Sequence, residues 1–254
     1  MCLITFAYKA HKKYNLIVAA NRDEFYERPT APAQYWDDAP HILAGRDLHR
    51  MGTWMGVTKQ GKFAALTNYR NGEEKQATKR SRGELVKDFL MDDETPVSYL
   101  EKVQMRKGQY PGFNLLVGDH NGLYYYSNIN DTIYTLEPGI YGLSNHFINS
   151  PWPKVIKGKK GLERCLKCSN SVMEDCLFSS LQRAESPPDE QLPQTGIPLE
   201  WERKLSPIFI KTDTYGTRAS TLLFITDKQI QFTERTFEGE KYKDRNFTFY
   251  INET

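Results

Sequence analysis

The chain of 254 residues can bury a sizeable hydrophobic core, and we expect one domain spanning residues 1–254. Its 34 Lys and Arg residues against 32 Asp and Glu residues give a formal net charge of +2, too small for a general nucleic-acid-binding field. A mean hydropathy of -0.64, and no apolar run near the ~20 residues that span a bilayer, predict no membrane span. Lys9 interrupts the apolar start before a signal peptide could form, so we expect a cytoplasmic protein.

The first predicted elements are two strands joined by a turn. Residues 2–8 are rich in β-branched and aromatic side chains, residues 11–15 are polar, and residues 16–20 are apolar again. Antiparallel pairing about the turn brings the far ends of both strands together. We therefore expect the polar run Asn21 to Glu24 to lie beside Cys2.

The position of Cys2 suggests chemistry. Removal of Met1 would leave a free α-amine on the residue that carries the thiol, whereas the same nitrogen is in a peptide bond while Met1 is present. An α-amine with a pKa of about 7.7–8.0 can accept the proton of a thiol with a pKa of about 8.5. Arg22 would favour the thiolate, and Asp23 or Glu24 would orient the ammonium. Two alternatives stay open: a cysteine that fills the core, and a turn with local ion pairs.

The next stretch is predicted to contain a loop and a second hairpin. Residues 28–44 include prolines that interrupt regular structure and should form a loop over the core. Residues 52–58 and 63–67 have strand-like patterns separated by a turn. Asn68, at the end of this hairpin, is either a turn former or a donor to an oxyanion.

Two helices are expected to follow and to cover one face of a sheet. Ser81 and Glu84 have the spacing of a capping box, and apolar residues continue at helical spacing to Leu90. Thr95 and Pro96 are typical of the start of a second helix.

The middle of the chain is predicted to alternate between strands and helices. Residues 113–126 form the clearest hairpin pattern, because its Asn-Gly turn favours positive φ at both central positions. A strand over residues 140–144 leads to Asn145 and His146. Two helical runs follow from about Lys154, divided near residues 169–170, and the basic stretch 154–160 is expected to be a solvated helix end. Residues 185–198 are expected to be an exposed loop, and four more strands are predicted at 206–210, 221–226, 230–235 and 246–251.

Three further cysteines lie in this predicted helical region. Cys165 and Cys168 have the spacing of half a zinc site, but no second Cys or His pair follows at ligand distance. No phosphate-binding glycine loop or metal-binding helix motif is present either. We therefore expect no metal and no other cofactor, and we expect Cys165, Cys168 and Cys176 to be reduced thiols without a disulfide.

Motifs along nearly the whole chain resemble those of the NRDE family, also called the transport and Golgi organisation protein 2 family. They are the start Met1 to Ile4, the run Asn21 to Phe25 followed by Arg28 and Pro29, and six later segments at 52–57, 67–70, 81–83, 112–116, 142–145 and 215–218.

This resemblance implies an α+β fold like that of the N-terminal nucleophile hydrolases: a four-layer αββα sandwich of two antiparallel sheets flanked by helices. The most similar chemistry is that of the penicillin V acylase and choloylglycine hydrolase group, which hydrolyse a C–N amide bond through an N-terminal cysteine. The catalytic residues that the resemblance implies are Cys2, Arg22, Asp23, Asn68, Asn145 and Arg218. The residues expected to bind substrate are Asn21, Glu24, Trp54, Tyr69 and His146. Arg218 could equally belong to a structural pair.

The implied activity is hydrolysis of a non-peptide amide through an acyl thioester at Cys2, with Asn68 and Asn145 holding the oxyanion. Members of the family have also been linked to haem and to acyl lipids or acyl-CoA. The alternative is therefore a non-catalytic protein that binds or transfers such a ligand on the same scaffold. In both cases the expected partner is a small molecule (an amide, an acyl compound or haem) rather than nucleic acid. The sequence specifies no oligomeric state.

Overall fold

Two antiparallel sheets form the centre of the computed structural model, which describes residues 2–73 and 79–252. In chain order the strands are β1 (Cys2–Tyr8), β2 (Leu16–Phe25), β3 (Thr30–Trp36), β4 (Ala39–Asp47), β5 (Met55–Thr58), β6 (Phe63–Asn68), β7 (Phe113–Gly118), β8 (Leu123–Ser127), β9 (Thr132–Thr135), β10 (Gly139–Leu143), β11 (Tyr215–Ile225), β12 (Gln229–Glu238) and β13 (Lys241–Tyr250). The α-helices are α1 (Gly83–Met91), α2 (Pro96–Met105), α3 (Pro153–Cys165), α4 (Asn170–Leu181) and α5 (Leu199–Leu205).

The order of strands places the start of the chain inside a sheet. One sheet has six strands in the order β10-β1-β2-β11-β12-β13, and the other has seven in the order β3-β4-β5-β6-β7-β8-β9. β1 therefore pairs on both sides, with β10 and with β2, and all its residues are buried. The predicted first hairpin is confirmed, with Cys2 opposite Arg22. The polar run lies within β2 itself, which continues to Phe25.

Three hydrophobic cores separate four layers. The core between the sheets contains Phe6 from one sheet and Val57 from the other. A second core joins α1 and α2 to the outer face of the seven-stranded sheet, as in the packing of Phe89 with Leu115. The third core, which contains Leu177 of α4, covers the six-stranded sheet. The predicted α+β fold with four layers, αββα, is confirmed, because side chains that alternate along each strand fill two cores at once.

The predicted loop over residues 28–44 is wrong, because these residues form the hairpin of β3 and β4. Pro32 lies within β3, which is the edge strand of its sheet, so its missing N–H leaves no partner unpaired. The pairing is irregular there, with a register shift between Ala31 and Gln34. Because an edge strand tolerates proline, the prolines at 29 and 32 do not exclude strands here.

Local signals at turns and helix ends were only partly correct. Thr95 caps α2 as predicted, since its hydroxyl accepts a hydrogen bond from the Ser98 N–H at 3.3 Å. The predicted capping box at Ser81 is wrong: Arg82 occupies the N-cap of α1, and its side chain makes no capping hydrogen bond.

The turn of the hairpin from β7 to β8 also differs from prediction. Neither Asn121 nor Gly122 has a positive φ. The Asp119 carboxylate accepts hydrogen bonds from the N–H groups of both residues, at 2.8 and 3.3 Å, and this side chain sets the shape of the turn.

The C-terminal strands confirm the pattern but not every boundary. The predicted strand at 206–210 is wrong, because these residues follow α5 as irregular chain. The Ile210 carbonyl accepts a hydrogen bond from the Thr217 N–H, and the Ile210 N–H donates to the Thr217 hydroxyl. β11 begins at Tyr215, six residues before the predicted 221. Its first half pairs with the polar end of β2, which no local hydrophobic pattern indicates.

The expectation that Cys165 and Cys176 are reduced is wrong, because they form a disulfide. The two residues lie on the consecutive helices α3 and α4, which pack against each other and bring the Cα atoms within 5.6 Å. Cys168 is a free thiol, as expected. None of the helices in the described part of the chain is long and apolar enough to cross a membrane.

Helix α3 lies very close to β1, and this contact generates a stability prediction. A Cβ atom at Gly158 would lie 2.9 Å from the Thr5 methyl and 3.3 Å from a Leu3 methyl. Gly158→Val should therefore lower the free energy of unfolding by about 1–3 kcal/mol through overpacking, measured by urea denaturation. Gly108→Val is the matched control, because an added Cβ there meets nothing within 4 Å. Equal losses from the two substitutions would contradict this packing.

Candidate active site

A cavity of about 620 Å³ opens between one end of the two sheets, and Cys2 lines it. Of the eleven residues nominated from the sequence, seven line it: Cys2, Arg22, Asp23, Glu24, Trp54, Asn68 and Arg218. The other four, Asn21, Tyr69, Asn145 and His146, do not. The strands thus bring most of the nominated side chains to one place.

The thiol of Cys2 is nearly buried, with the residue 8 % exposed. Cys2 and Arg22 are register partners, so their side chains share the face of the sheet that looks toward the second sheet. Burial raises the pKa of the Cys2 thiol, and the charge of Asp23 adds to this rise, whereas Arg22 and a hydrogen bond from the Asp23 N–H lower the pKa. The thiol needs a base if it is to react at neutral pH.

Asp23 is a buried carboxylate beside the thiol. Its Oδ1 accepts a hydrogen bond from the Thr217 hydroxyl at 2.7 Å, and its carbonyl oxygen accepts one from the Tyr215 hydroxyl at 2.9 Å. Burial raises the pKa of Asp23, and the positive charge of Lys154 opposes that rise. Glu24 differs, because it faces Arg22 and Arg28 at 3.8 Å each in a partly exposed ion pair.

Arg218 stands at a bulge in β11, where the register shifts between Thr217 and Ala219. Such bulges redirect a side chain, and they are common beside active sites. One guanidinium nitrogen of Arg218 donates to three backbone carbonyls, those of Phe25, Tyr26 and Arg28, at 2.9–3.2 Å. Arg218 therefore fixes the end of β2 while also lining the cavity.

Asn145 supports the cavity from behind. Its residue is 0 % exposed, and its amide nitrogen donates to the backbone carbonyl of Asn68 at 3.0 Å. The neighbouring Ser144 hydroxyl bridges the carbonyl oxygen of Cys2 and the side-chain oxygen of Asn145, at 3.0 and 3.2 Å. Asn145, expected to hold the oxyanion, does not line the cavity, but its hydrogen bonds link Asn68 through Ser144 to the strand that carries Cys2.

Asn21, expected to bind substrate, faces away from the cavity. It pairs with Leu3, so the two-residue period of the strand directs it to the helical layer. Its amide nitrogen donates to the carbonyls of Leu181 and Ile208 at 2.9 Å, and its oxygen accepts from the Ser220 hydroxyl at 2.6 Å. These bonds anchor the α4 layer to the sheet.

Tyr69 and His146 form an aromatic group outside the cavity rather than part of its lining. Their rings lie 5.0 Å apart, and the rings of Phe147 and Trp152 lie 4.7 and 5.7 Å from that of His146. Burial lowers the pKa of His146, and its Nδ1 is hydrogen-bonded to the Ser150 hydroxyl at 2.7 Å. His146 therefore does not share the cavity lining with Cys2.

Sequence reasoning missed a buried ionic layer behind the thiol. Lys154, expected on a solvated helix end, is only 3 % exposed, and its ammonium donates to the Leu205 carbonyl at 2.9 Å. Arg70 and Glu202 form a buried salt bridge of 2.5 Å nearby. The charges of Asp23 and Cys2 act on Lys154, which shows that this layer adjoins the site. The sequence did not indicate that Lys154 is buried, because a lysine in a largely polar helix is usually exposed.

The buried ammonium of Lys154 gives a pH prediction. Burial, reinforced by Arg70, lowers the pKa of Lys154 to about 8, against about 10.4 in an unfolded chain. Between these values the unfolded state binds more protons, so stability rises with pH. Relative to Lys154→Met, the wild type should gain about 3 kcal/mol of unfolding free energy from about pH 7 to about pH 10.5.

Chemical denaturation at a series of pH values measures this difference. Lys160→Met is the control, because it removes the same charge from an exposed position on the same helix. A difference between wild type and Lys154→Met that stays constant across this range would show that Lys154 titrates normally.

The fold is that of the N-terminal nucleophile hydrolases. Two solved structures share it. The Caenorhabditis elegans N-acylethanolamine-hydrolyzing acid amidase ortholog aligns with a TM-score of 0.50 and 12% identity, covering 83% of this chain and all of that one, 100%. A mutant of the conjugated bile acid hydrolase from Clostridium perfringens aligns with a TM-score of 0.52 and 7% identity, covering 99% and 97%.

The chain belongs to the Transport and Golgi organisation 2 family, whose sequence profile matches residues 1–239. The Homo sapiens Transport and Golgi organization protein 2 homolog is 37% identical over 259 residues, 93% of each chain. The Drosophila melanogaster Transport and Golgi organization protein 2 is 28% identical over 266 residues, 94% of this chain and 93% of that one. The family expected from the sequence motifs is confirmed.

Proposed function

We propose that this protein, once Met1 is removed, is an N-terminal cysteine hydrolase that cleaves a non-peptide C–N amide bond. The observation that carries the proposal is the placement of the Cys2 thiol. It lies at the start of a fully buried strand, lines a cavity of about 620 Å³, and has Asp23 and Asn68 beside it in the same lining.

The names of two structures with this fold support an amide as the substrate. One is called an acid amidase that hydrolyses N-acylethanolamines, and the other a conjugated bile acid hydrolase. Their likeness concerns the fold alone, so the acyl-transfer part of the proposal is supported by the residues of this chain's own site. A thiol, an adjacent α-amine and amide donors are the groups that acyl transfer requires.

The proposed reaction begins with transfer of the thiol proton to the α-amine of Cys2. The sulfur then attacks the carbonyl carbon of the amide, and an oxyanion forms. As the C–N bond breaks, the α-ammonium gives its proton to the leaving nitrogen and a thioester remains on Cys2. The α-amine then takes a proton from water as the water oxygen attacks the thioester carbonyl. The C–S bond breaks, the α-ammonium returns that proton to the sulfur, and a carboxylic acid leaves.

Asp23 is proposed to orient the α-ammonium, in preference to Glu24. The Asp23 carboxylate is buried and acts on the thiol, and the Thr217 hydroxyl fixes one of its oxygens. Glu24 is already engaged by two arginines at the edge of the cavity. A buried carboxylate also interacts more strongly with an ammonium than an exposed one does, because water screens it less.

Asn68 is proposed as the oxyanion donor and Asn145 as a positioning residue. Asn68 lines the cavity with Cys2, whereas the amide nitrogen of Asn145 is used on the Asn68 carbonyl. This division revises the equal roles that the family resemblance implies for the two asparagines.

Met1-free protein should form a covalent acyl adduct on residue 2 and turn over a small amide. The measurement is a screen of acyl amides followed by peptide mass spectrometry. Cys2→Ser should slow turnover strongly, and Cys2→Ala should abolish it without preventing ligand binding, since only the nucleophile is lost. Full activity of Cys2→Ala would refute the hydrolase. Ligand binding with no turnover by Met1-free protein would favour the carrier of haem or an acyl compound instead.

Substitution of Asn68 and of Asn145 should have different effects on kcat. Asn68→Ala should reduce kcat by about 10²–10³-fold, because one oxyanion donor contributes about 2.7–4 kcal/mol to the transition state. Asn145→Ala should reduce kcat less and lower the unfolding free energy by about 1–3 kcal/mol, because a buried carbonyl loses its partner. Steady-state kinetics and urea denaturation of both variants check this. The reverse order of kcat effects would assign the donor to Asn145.

A further inference from the structure

The lining of the cavity is far more basic than the protein as a whole. Among the described residues that line it, eleven are Lys or Arg and five are Asp or Glu, an excess of six positive charges. The whole chain carries a formal net charge of only +2. Such a concentration of one sign in a concave site favours ligands of the opposite sign.

Part of this charge is already neutralised within the protein. Arg28 pairs with Asp47 at 2.6 Å, and Arg46 pairs with Asp38 at 2.6 Å. Arg22 faces Glu24 at 3.8 Å. These pairs are built into the walls and contribute little free charge to a ligand.

Four other cations of the lining remain unpaired. Arg50, Lys241, Lys243 and Arg245 line the cavity, and within the part of the chain that the structure describes their side chains form no salt bridge. Lys241 and Lys243 are exposed, and Arg245 is half-buried. Unpaired cations held on one surface repel each other, so a multivalent anion would stabilise them.

The pattern of β13 explains why three of these cations point into one space. Lys241, Lys243 and Arg245 alternate along the strand and share a face with Phe247 and Phe249. The two phenylalanines pack against the core between the sheets. The basic end of the same face therefore extends from that core into the cavity.

The neighbouring strand β12 offsets only part of this charge. Glu234 is the cross-strand partner of Arg245, and one of its oxygens accepts a hydrogen bond from the Ala33 N–H at 2.6 Å. Glu238 is the partner of Lys241 and is exposed. Two carboxylates thus face three cations of β13.

We infer that Arg50, Lys241, Lys243 and Arg245 form an anion subsite in the outer cavity that takes a phosphate ester. This inference rests on the proposed function for the acyl end of the ligand and adds that the substrate carries phosphate. Lys and Arg are the side chains that bind phosphate oxygens most strongly. The family profile ends at residue 239, so Lys241, Lys243 and Arg245 lie outside the range that it matches.

Inorganic pyrophosphate is the probe, and the full-length Cys2→Ala protein is the receptor. Calorimetry should show saturable binding that weakens as salt rises, with acetate binding much more weakly. Lys241→Gln/Lys243→Gln should weaken binding by about tenfold or more, because two charge-assisted contacts are lost. Lys160→Gln/Lys167→Gln removes the same charge from exposed positions outside the lining and should leave affinity within about twofold.

Two further controls separate the binding result from effects on folding and on catalysis. Arg50→Gln, on the other sheet's side of the cavity, should weaken pyrophosphate binding too, and unchanged unfolding midpoints show that the variants fold. Cys2→Ala cannot turn over, so failure of the hydrolase leaves this test intact. Binding that is equal for pyrophosphate and acetate, or that falls equally in the control pair, would overturn the subsite.

The source of the phosphate is distinguished by vesicles of phosphatidylcholine with and without phosphatidic acid. Binding only to vesicles with phosphatidic acid, lost in Lys241→Gln/Lys243→Gln, supports the subsite with a lipid headgroup as its ligand. Pyrophosphate binding without vesicle binding supports it with a soluble phosphate ester.

Discussion

The site depends on the pairing of β1 with β2 in the interior of the six-stranded sheet. The start of a chain usually frays unless it is tied down. Here β1 lies between β10 and β2, all its residues are buried, and the backbone of Gly158 in α3 allows the helix to lie directly on it. Residue 2 consequently has a fixed position, which a side chain on a free terminus would lack.

The same register divides polar residues between two tasks. Cys2 and Arg22 face the cavity, whereas the neighbouring pair of Leu3 and Asn21 faces the helices. A shift of one residue would exchange these faces and place the thiol among helical side chains. The hydrogen bonds of Asn21 to Leu181 and Ile208 oppose such a shift, because it would leave a buried amide without partners.

Behind this strand the protein maintains buried charge at a cost. Removing an ion from water costs several kcal/mol, and a buried pair is often no more stabilising than an apolar replacement. Asp23, Lys154, Arg70 and Glu202 are all under 9 % exposed. Groups with shifted pKa values gather at functional sites more often than elsewhere, so this layer agrees with a site that handles protons next to Cys2.

The sequence was most informative where strands had a clear pattern and motifs were specific. It predicted the first hairpin, the juxtaposition of Cys2 with Arg22, and the layered fold. It failed where long-range contacts decide: Pro32 in an edge strand, the disulfide of Cys165 with Cys176, and the burial of Lys154. No local pattern reports which helix will lie against a given sheet, so these features required the three-dimensional structure.

The central claim is that the α-amine of Cys2 is free in the working protein. Intact-mass measurement of untagged protein, with sequencing of the N-terminal peptide, tests it most directly. The expected result is a mass lower than that of the full sequence by one methionine residue, and a peptide that begins at Cys2. Retention of Met1 throughout the native protein would contradict it, because the nitrogen of Cys2 would then be an amide and could not accept the thiol proton.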